Sequence, residues 1–192
     1  DTEVILKSFF EWGPKFVNKL NGMFAMCIYD KNTKKIYCYR DRLGQKPFYY
    51  YWNNGIFEIC SQLRPLAKNK TLSEKAISIY LDCGYIPSPL SIFNEVKKLD
   101  AGHVLIIDLI NKSISNETYW TLVNSVKSDL SYKEAKDKLH DLLIDSVKIR
   151  LNSDVPTGTF LSGGVDSALI TSLVQKISTR KVNTFTVGFD EE

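Results

Sequence analysis

Hydrophobic positions change their spacing twice along this chain, and each change predicts a different kind of secondary structure. Near the start, apolar residues recur at the period of a helix, which predicts a helix over Thr2–Trp12. Gly13-Pro14 ends that helix, and a short second helix is expected to run to Leu20. Apolar and polar residues then alternate with a period of two, as in strands. The predicted strands are residues 23–29, Lys35–Arg40, 47–52 and 56–61.

The middle of the chain adds one helix, a connector and two short strands. Residues 73–83 are predicted to be helical, with Ser73 as the cap. Residues 84–89 contain two prolines and a glycine, so they are expected to form an irregular connector. His103–Asp108 and residues 117–120 are the next predicted strands. An antiparallel sheet is therefore expected in the first half.

The last third predicts helices and strands in alternation. Ser131 and Glu134 have the spacing of a capping box, which predicts a long helix over residues 131–151. A buried strand, a helix and a second strand should follow, and this order is typical of a βαβ unit in a parallel sheet. These three elements are residues 157–161, 166–177 and 182–187. The change of pattern divides the chain into domains of residues 1–115 and 116–192.

Composition and charge exclude several classes of protein. A hydrophobic fraction of 44% is sufficient for a packed core and excludes wholesale disorder. The net charge of +3 is too small to indicate binding to nucleic acid or to a membrane surface. No apolar run reaches the roughly 18 residues of a membrane-spanning helix, and the acidic start does not resemble a signal peptide. No nucleic-acid or membrane partner is therefore expected.

The four cysteines, Cys27, Cys38, Cys60 and Cys83, are far apart in sequence and form no CxxC pair. Because only two histidines accompany them, a zinc site is not expected. Reduced thiols in a cytoplasmic protein are the better interpretation. Cys27 lies within a predicted strand and is expected to be a small, buried core residue.

Charged and aromatic residues cluster after the second predicted strand. The charged group could form a phosphate-binding patch, but its balanced charge favours a structural ion pair that orders a turn. The aromatic run of residues 48–52 alternates within a predicted hairpin, which favours a sheet face over a surface for nucleobases. The charged residues are Arg40, Asp41, Arg42 and Lys46.

The string Ser162-Gly163-Gly164-Val165-Asp166-Ser167 carries the clearest chemistry. Its glycines permit a tight turn and a close approach of backbone N–H groups to a ligand. The start of the following helix adds free donors and the positive end of the helix dipole, which suits a polyphosphate. Ser162 and Ser167 supply hydroxyls, and Asp166 can hold Mg²⁺. The alternative is a tight turn that only permits close packing, with Ser162 capping the helix.

Spacing separates this loop from two other common loops. The lysine and the spacing of a Walker P-loop are absent. Phe160-Leu161 precedes Ser162 where a nucleophile elbow has Gly-x, and no matching His and Asp set is evident.

Several strings, in order along the whole chain, resemble one family. The Ser-Gly-Gly loop resembles the pyrophosphate-binding loop of the ATP-pyrophosphatase superfamily. Its flanking strings resemble the synthetase domain of glutamine-dependent asparagine synthetases, and the earlier strings resemble the end of the glutaminase domain and its connector. Ala101 stands where the family usually has proline. The strings are residues 154–158 and 185–189, then 20–25 and 40–47, and finally 85–87 with 99–103.

The resemblance implies a fold class of α+β followed by α/β. The antiparallel-sheet part of an N-terminal-nucleophile glutaminase domain would be joined to the first βαβ unit of a parallel-sheet domain that is similar to adenine-nucleotide α-hydrolases. Both ends of the chain are expected to be internal to a longer protein. The implied reaction adenylates the side-chain carboxylate of aspartate and amidates it with ammonia from glutamine, which gives asparagine, AMP and pyrophosphate. Amidation of another carboxylate, on a sugar or a β-lactam precursor, is the alternative.

The resemblance also implies the substrates glutamine, aspartate and ATP, with ATP and Mg²⁺ as cofactors, and it allows a homodimer of the full-length protein. Asp166 would hold the metal, and Asp1 would hold the α-amino group of glutamine unless it serves as a helix cap. No catalytic residue is expected here, because the N-terminal cysteine nucleophile would lie upstream, and this chain alone is expected to be inactive. The ATP-binding residues would be Phe160, Leu161, Ser162, Gly163, Gly164, Asp166, Ser167 and Val187.

Overall fold

The computed structural model describes residues 1–122 and 129–188 of this chain. Contacts divide the chain into two compact units, Asp1–Asn124 and Ser125–Glu192. The domain division predicted after residue 115 falls inside the strand Ser113–Thr118 of the first unit. Among the described residues, every helix is too short or too polar to cross a membrane.

The described residues of the first unit form two α-helices, two 3₁₀ helices and seven strands. The α-helices are α1 (Thr2–Trp12) and α2 (Glu74–Cys83), and the 3₁₀ helices are Gly13–Lys19 and Arg64–Leu66. The strands are β1 (Ala25–Asp30), β2 (Lys35–Arg40), β3 (Tyr49–Asn53), β4 (Ile56–Cys60), β5 (Val96–Lys98), β6 (His103–Asp108) and β7 (Ser113–Thr118).

Two antiparallel sheets form the body of the first unit. One has the order β1-β2-β6-β7 and the other has the order β4-β3-β5. A core between the sheets contains Phe48, Leu99 and Leu105, and a second core packs α1 and the first 3₁₀ helix against the other face of the larger sheet, around Phe16 and Tyr39. The first unit is therefore layered as helix, sheet and sheet.

The chain leaves the larger sheet after β2 and returns to it at β6. The carbonyl oxygen of Asp41 accepts a hydrogen bond from the N–H of Gly102 at 3.0 Å, so the two ends of this excursion meet. Gly102 has φ +69°, and a Cβ atom there would overlap the carbonyl oxygen of Trp120. Only glycine can make this return without strain.

Several sequence predictions need correction in the first unit. The second helix is a 3₁₀ helix, and β5 was not anticipated. The strand predicted at residues 117–120 is Ser113–Thr118, because its register against β6 fixes it and its mostly exposed side chains give no clear period. Cys27 is exposed instead of buried, since among the described strands β1 is an edge of its sheet.

The second unit contains the predicted strand–helix–strand order. Its elements are α3 (Tyr132–Leu151), β8 (Gly158–Phe160), α4 (Val165–Ile177) and β9 (Asn183–Phe185). β8 and β9 pair in parallel, and the capping box of Ser131 and Glu134 is present. The helices α3 and α4 pack through Val147, Leu173 and Val174.

The prediction that the strand before the glycine loop is buried is wrong. Phe160 is 80% exposed, and among the described residues only two short strands form this sheet. Thr159 alone of this strand is half-buried, and its hydroxyl accepts a hydrogen bond from Thr171 of α4 at 3.0 Å. The sheet therefore leaves much of the strand at the surface.

Candidate functional site

The Ser-Gly-Gly loop lies between β8 and the first turn of α4, as the sequence predicts. The hydroxyl of Ser167 accepts hydrogen bonds from the backbone N–H of Ser162 at 3.3 Å and from the hydroxyl of Ser162 at 3.1 Å. It also donates to the carbonyl oxygen of Gly164 at 3.0 Å. These bonds bring both serine hydroxyls to the same side of the loop.

The start of α4 has no side-chain cap. Gly164 is the N-cap residue, and no side chain accepts a hydrogen bond from the first turn. The alternative that Ser162 caps this helix is therefore wrong. Since the first N–H groups of a helix have no partner within the helix, this end can bind an anion.

Gly163 gives the loop its open shape. It has φ +81°, a backbone conformation that favours glycine, and a Cβ atom built there would meet nothing within 4 Å. Gly163 and Gly164 are both exposed, so their backbone faces solvent. A ligand can therefore approach the peptide groups directly.

The residues predicted to flank the loop lie at the carboxyl ends of the two parallel strands. The N–H of Leu161 donates to the carbonyl oxygen of Phe185 at 2.8 Å, and the Thr186 hydroxyl donates to the Leu161 carbonyl oxygen at 2.7 Å. Phe160 and Val187, 80% and 75% exposed, lie at this edge. In open parallel sheets, this edge is where ligands commonly bind.

Asp166 is exposed in the first turn of α4. Within residues 1–122 and 129–188, its carboxylate has neither a hydrogen bond nor an ion pair, and no group of three or more His, Cys, Asp and Glu could hold a metal ion by itself. Mg²⁺ is usually bound by one or two carboxylates together with substrate phosphates. A single free carboxylate beside an uncapped helix start fits that arrangement.

A second candidate site is a cavity of about 640 Å³ in the first unit. Its polar lining comes from Asp1, Asn21, Lys46 and Ser61, and its walls are otherwise mostly apolar. The side chain of Asp1 does not cap α1; only its backbone carbonyl accepts, from the N–H of Ile5 at 3.0 Å. The carboxylate of Asp1 is therefore available to a ligand in this cavity.

Asp41 was expected to take part in an ion pair, and the structure contradicts this. It is fully buried, and its carboxylate accepts hydrogen bonds from three backbone N–H groups. The donors are Leu43 at 3.2 Å, Gln45 at 2.9 Å and Lys46 at 3.0 Å. Sequence reasoning missed this role, although an aspartate that opens a glycine-containing turn often accepts from the N–H groups that follow it.

The two neighbouring arginines also bind backbone carbonyl groups in place of carboxylates. Arg40 donates to the carbonyl oxygens of Gly44, Lys46 and Leu99. Arg42 donates to Leu20 at 2.7 Å and to Asn18 at 2.9 Å. Since Leu20 and Lys46 both line the cavity of about 640 Å³, these bonds hold two of its walls in place.

Comparison with known proteins relates the two halves of the chain to different families. The family of glutamine amidotransferase domains matches residues 1–120, and the asparagine synthase family matches residues 138–192. The antiparallel sheets and helices of the first unit fit a glutaminase-type domain, and the second unit fits the start of a synthetase domain.

Individual relatives cover nearly the whole chain. A Methanocaldococcus jannaschii protein with the provisional name asparagine synthetase (glutamine-hydrolysing) 2 is 42% identical over 99% of this chain and 38% of its own length. The glutamine-hydrolysing asparagine synthetases 1 and 3 of Bacillus subtilis are 32% and 31% identical over 100% of this chain, which corresponds to 30% and 32% of their lengths. The chain thus spans about a third of the length of these relatives.

Proposed function

Because this chain belongs to the family of glutamine-hydrolysing asparagine synthetases, we propose that the protein containing it makes asparagine. ATP is used to adenylate the side-chain carboxylate of aspartate, and ammonia released from glutamine converts it to the amide. The products are asparagine, AMP, pyrophosphate and glutamate. The observation that carries this proposal is the uncapped Ser-Gly-Gly loop, which lies in the synthase-like unit of a chain whose first unit is amidotransferase-like.

The loop binds the phosphate groups of ATP in this proposal. The hydroxyls of Ser162 and Ser167 lie 3.1 Å apart, and they donate to phosphate oxygens together with the backbone N–H groups of Gly163 and Gly164. Preorganised donors of this kind stabilise negative charge that develops on a leaving group. The loop therefore favours departure of pyrophosphate.

Two further roles complete the ATP site. Asp166 holds Mg²⁺, which when bound offsets the charge of the phosphate oxygens. Phe160 and Val187, both exposed at the carboxyl ends of the two parallel strands, contact the adenine through their backbones, and the half-buried Leu161 lies next to Phe160 in the ATP site. The chemistry of the donors fits both groups: an uncapped helix start for the anion and a free carboxylate for the cation.

The first unit takes part in glutamine binding. Asp1 lines the cavity of about 640 Å³, and its carboxylate pairs with the α-amino group of glutamine.

Substitution of Asp166 by Asn in the full-length protein tests the proposal. The amide has nearly the same shape, so the loop is preserved, but one negative charge beside the metal is lost. Loss of such a charge-assisted contact costs about 2–3 kcal/mol, so ATP-dependent amide formation should fall by roughly two orders of magnitude. Glutaminase activity should stay close to that of the wild type, since that chemistry belongs to the other domain.

Asp137→Asn is the matched control, because Asp137 is an exposed aspartate of the same unit, on α3 and outside the loop. It should change neither activity. If Asp166→Asn lowered both activities together with thermal stability, the residue would be structural and the metal assignment wrong. If amide formation were unchanged, the loop would not be the ATP site.

Mass spectrometry of the product, with aspartate supplied alone or in competition with a sugar acid or a β-lactam precursor, identifies the acceptor.

A further inference from the structure

Two cysteines that are 11 positions apart in sequence meet across a pair of strands. Cys27 of β1 lies directly opposite Cys38 of β2, and their Sγ atoms are 2.7 Å apart. Directly opposed residues of antiparallel strands have Cα atoms about 4.5–5.5 Å apart. A disulfide accepts Cα separations of about 4.4–6.8 Å. The strands therefore already hold this pair within the range that a disulfide needs.

The two thiols differ sharply in exposure. Cys38 is fully buried in the core between the sheets, whereas Cys27 is exposed and lines a cavity of about 170 Å³. The contact with Cys27 and burial both raise the pKa of Cys38. Since a thiolate is the reactive form of cysteine, the first attack on a reagent falls to the exposed Cys27.

We propose that Cys27 and Cys38 form a reversible thiol–disulfide site that reacts with low-molecular-weight disulfides of the glutathione type. The Cys27 thiolate attacks one sulfur of the small disulfide, and the second half leaves as a thiolate that takes up a proton. Cys38 then attacks Sγ of Cys27, and its proton passes to the departing thiolate. The protein disulfide forms and the other half of the reagent leaves as a second thiol. Two protein thiols are oxidised and one small disulfide is reduced.

This site does not depend on the proposed synthetase function. None of its atoms belongs to the Ser-Gly-Gly loop, and the pairing rests on strand register alone. The widely separated cysteines of the sequence gave no sign of it, because the turn between β1 and β2 brings them together.

The test treats the full-length protein with glutathione disulfide, blocks the remaining thiols by alkylation without reduction, and maps tryptic peptides by mass spectrometry. Trypsin places Cys27 in the peptide of residues 20–31 and Cys38 in the peptide of residues 36–40. We expect these peptides to be linked, with a loss of two hydrogen atoms from their summed mass. Dithiothreitol should reverse the link.

Variants separate this pair from other thiols. Cys38→Ser, or Cys38→Ala if the serine variant does not fold, should retain glutathione on Cys27 as a stable mixed disulfide. Cys60→Ser is the nearest control, since Cys60 lines the same cavity as Cys27, and Cys83→Ser is a distant exposed control on α2. Both should leave the link unchanged.

Three results would overturn the proposal. The first is separate alkylation of Cys27 and Cys38 after the glutathione treatment. The second is a link from Cys27 to Cys60. The third is a mixed disulfide on Cys27 of the wild-type protein that persists without conversion to the internal disulfide.

Discussion

Replacing Asp41 with alanine should destabilise the first unit more than any exposed aspartate replacement. The carboxylate is fully buried and accepts from the N–H groups of Leu43, Gln45 and Lys46. Alanine leaves all three donors without this acceptor and removes the side chain that fills the turn. The substitution therefore tests whether this single side chain orders the segment after β2.

The expected size follows from the number and kind of bonds. A hydrogen bond to a charged group contributes about 1.5–3 kcal/mol. Three such bonds set the upper limit of the loss of stability. Water offsets part of this loss, because Gln45 and Lys46 lie at the surface and water can reach their freed N–H groups. We expect the free energy of unfolding to fall by about 3–5 kcal/mol. With a urea slope of about 1–3 kcal/mol/M, the midpoint should move down by more than about 1 M.

Urea unfolding followed by tryptophan fluorescence measures this change. Trp12, Trp52 and Trp120 all lie in the first unit, so their emission reports on its unfolding. Asp30→Ala is the matched control. Asp30 also accepts backbone N–H bonds, from Asn32 at 2.9 Å and Thr33 at 3.4 Å, but these bonds lie at the surface, where water replaces them.

The comparison of the urea midpoint shifts of Asp41→Ala and Asp30→Ala tests whether burial strengthens these bonds. A small midpoint shift for Asp41→Ala, equal to that of Asp30→Ala, would refute the reasoning that burial makes these bonds important. Asp41→Asn adds a further check. Its amide oxygen can still accept two N–H bonds, but its NH₂ group would face a backbone donor, so its midpoint should fall between the wild type and alanine.

Two further predictions concern the larger sheet and the start of α3. A chain of residues 1–100 should show no cooperative thermal transition, because it lacks β6, which pairs with β2 and supplies Leu105 and Ile107 to the core. A chain of residues 1–122 contains β6 and should show a cooperative transition. Similar thermal transitions for the two chains would contradict this prediction. The Ser131 hydroxyl and backbone hold the pKa of Glu134 below its usual value, so the carboxylate stabilises the fold above the ordinary glutamate range and loses this effect as the pH falls through its lowered pKa. Ser131→Ala should raise the pKa of Glu134 in an NMR titration of its carboxyl carbon, and an unchanged value would argue against the capping box as the cause.

The hydrophobic pattern predicted the bounds of an element correctly where the apolar face of that element is also the face that packs against the core. The helix Thr2–Trp12 and the strand Lys35–Arg40 have the predicted bounds, because their apolar faces are the ones that meet the core. β7 was misplaced since Ile114 is the only partly buried member of the strand, so alternation gave little guidance. Its position is determined by pairing with β6, which is information from a distant part of the chain.

In the candidate sites too, features that depend on neighbouring residues could be predicted, and features that depend on distant parts of the chain could not. The glycine loop could be anticipated, because its glycines and serines are consecutive and a strand and a helix flank it directly. The turn that Asp41 opens had a local signal, but its full burial had none, since its backbone bonds to Phe24 and Gly102 from other parts of the chain. The pairing of Cys27 with Cys38 needed the register of two strands, which spacing alone does not provide.

The hydrogen bond between Asp41 and Gly102 closes the 60 residues between them into an insertion, here called the branch, which leaves the larger sheet and returns to it at one place. Because the branch begins and ends at one place, the strands at its base retain their register whatever its length. Closing a flexible loop of twice the length costs only about 0.6 kcal/mol more. The surface turn at Asn54-Gly55, far along this branch, is therefore a natural point for inserting a tag or a reporter domain, which would leave β2 and β6 paired.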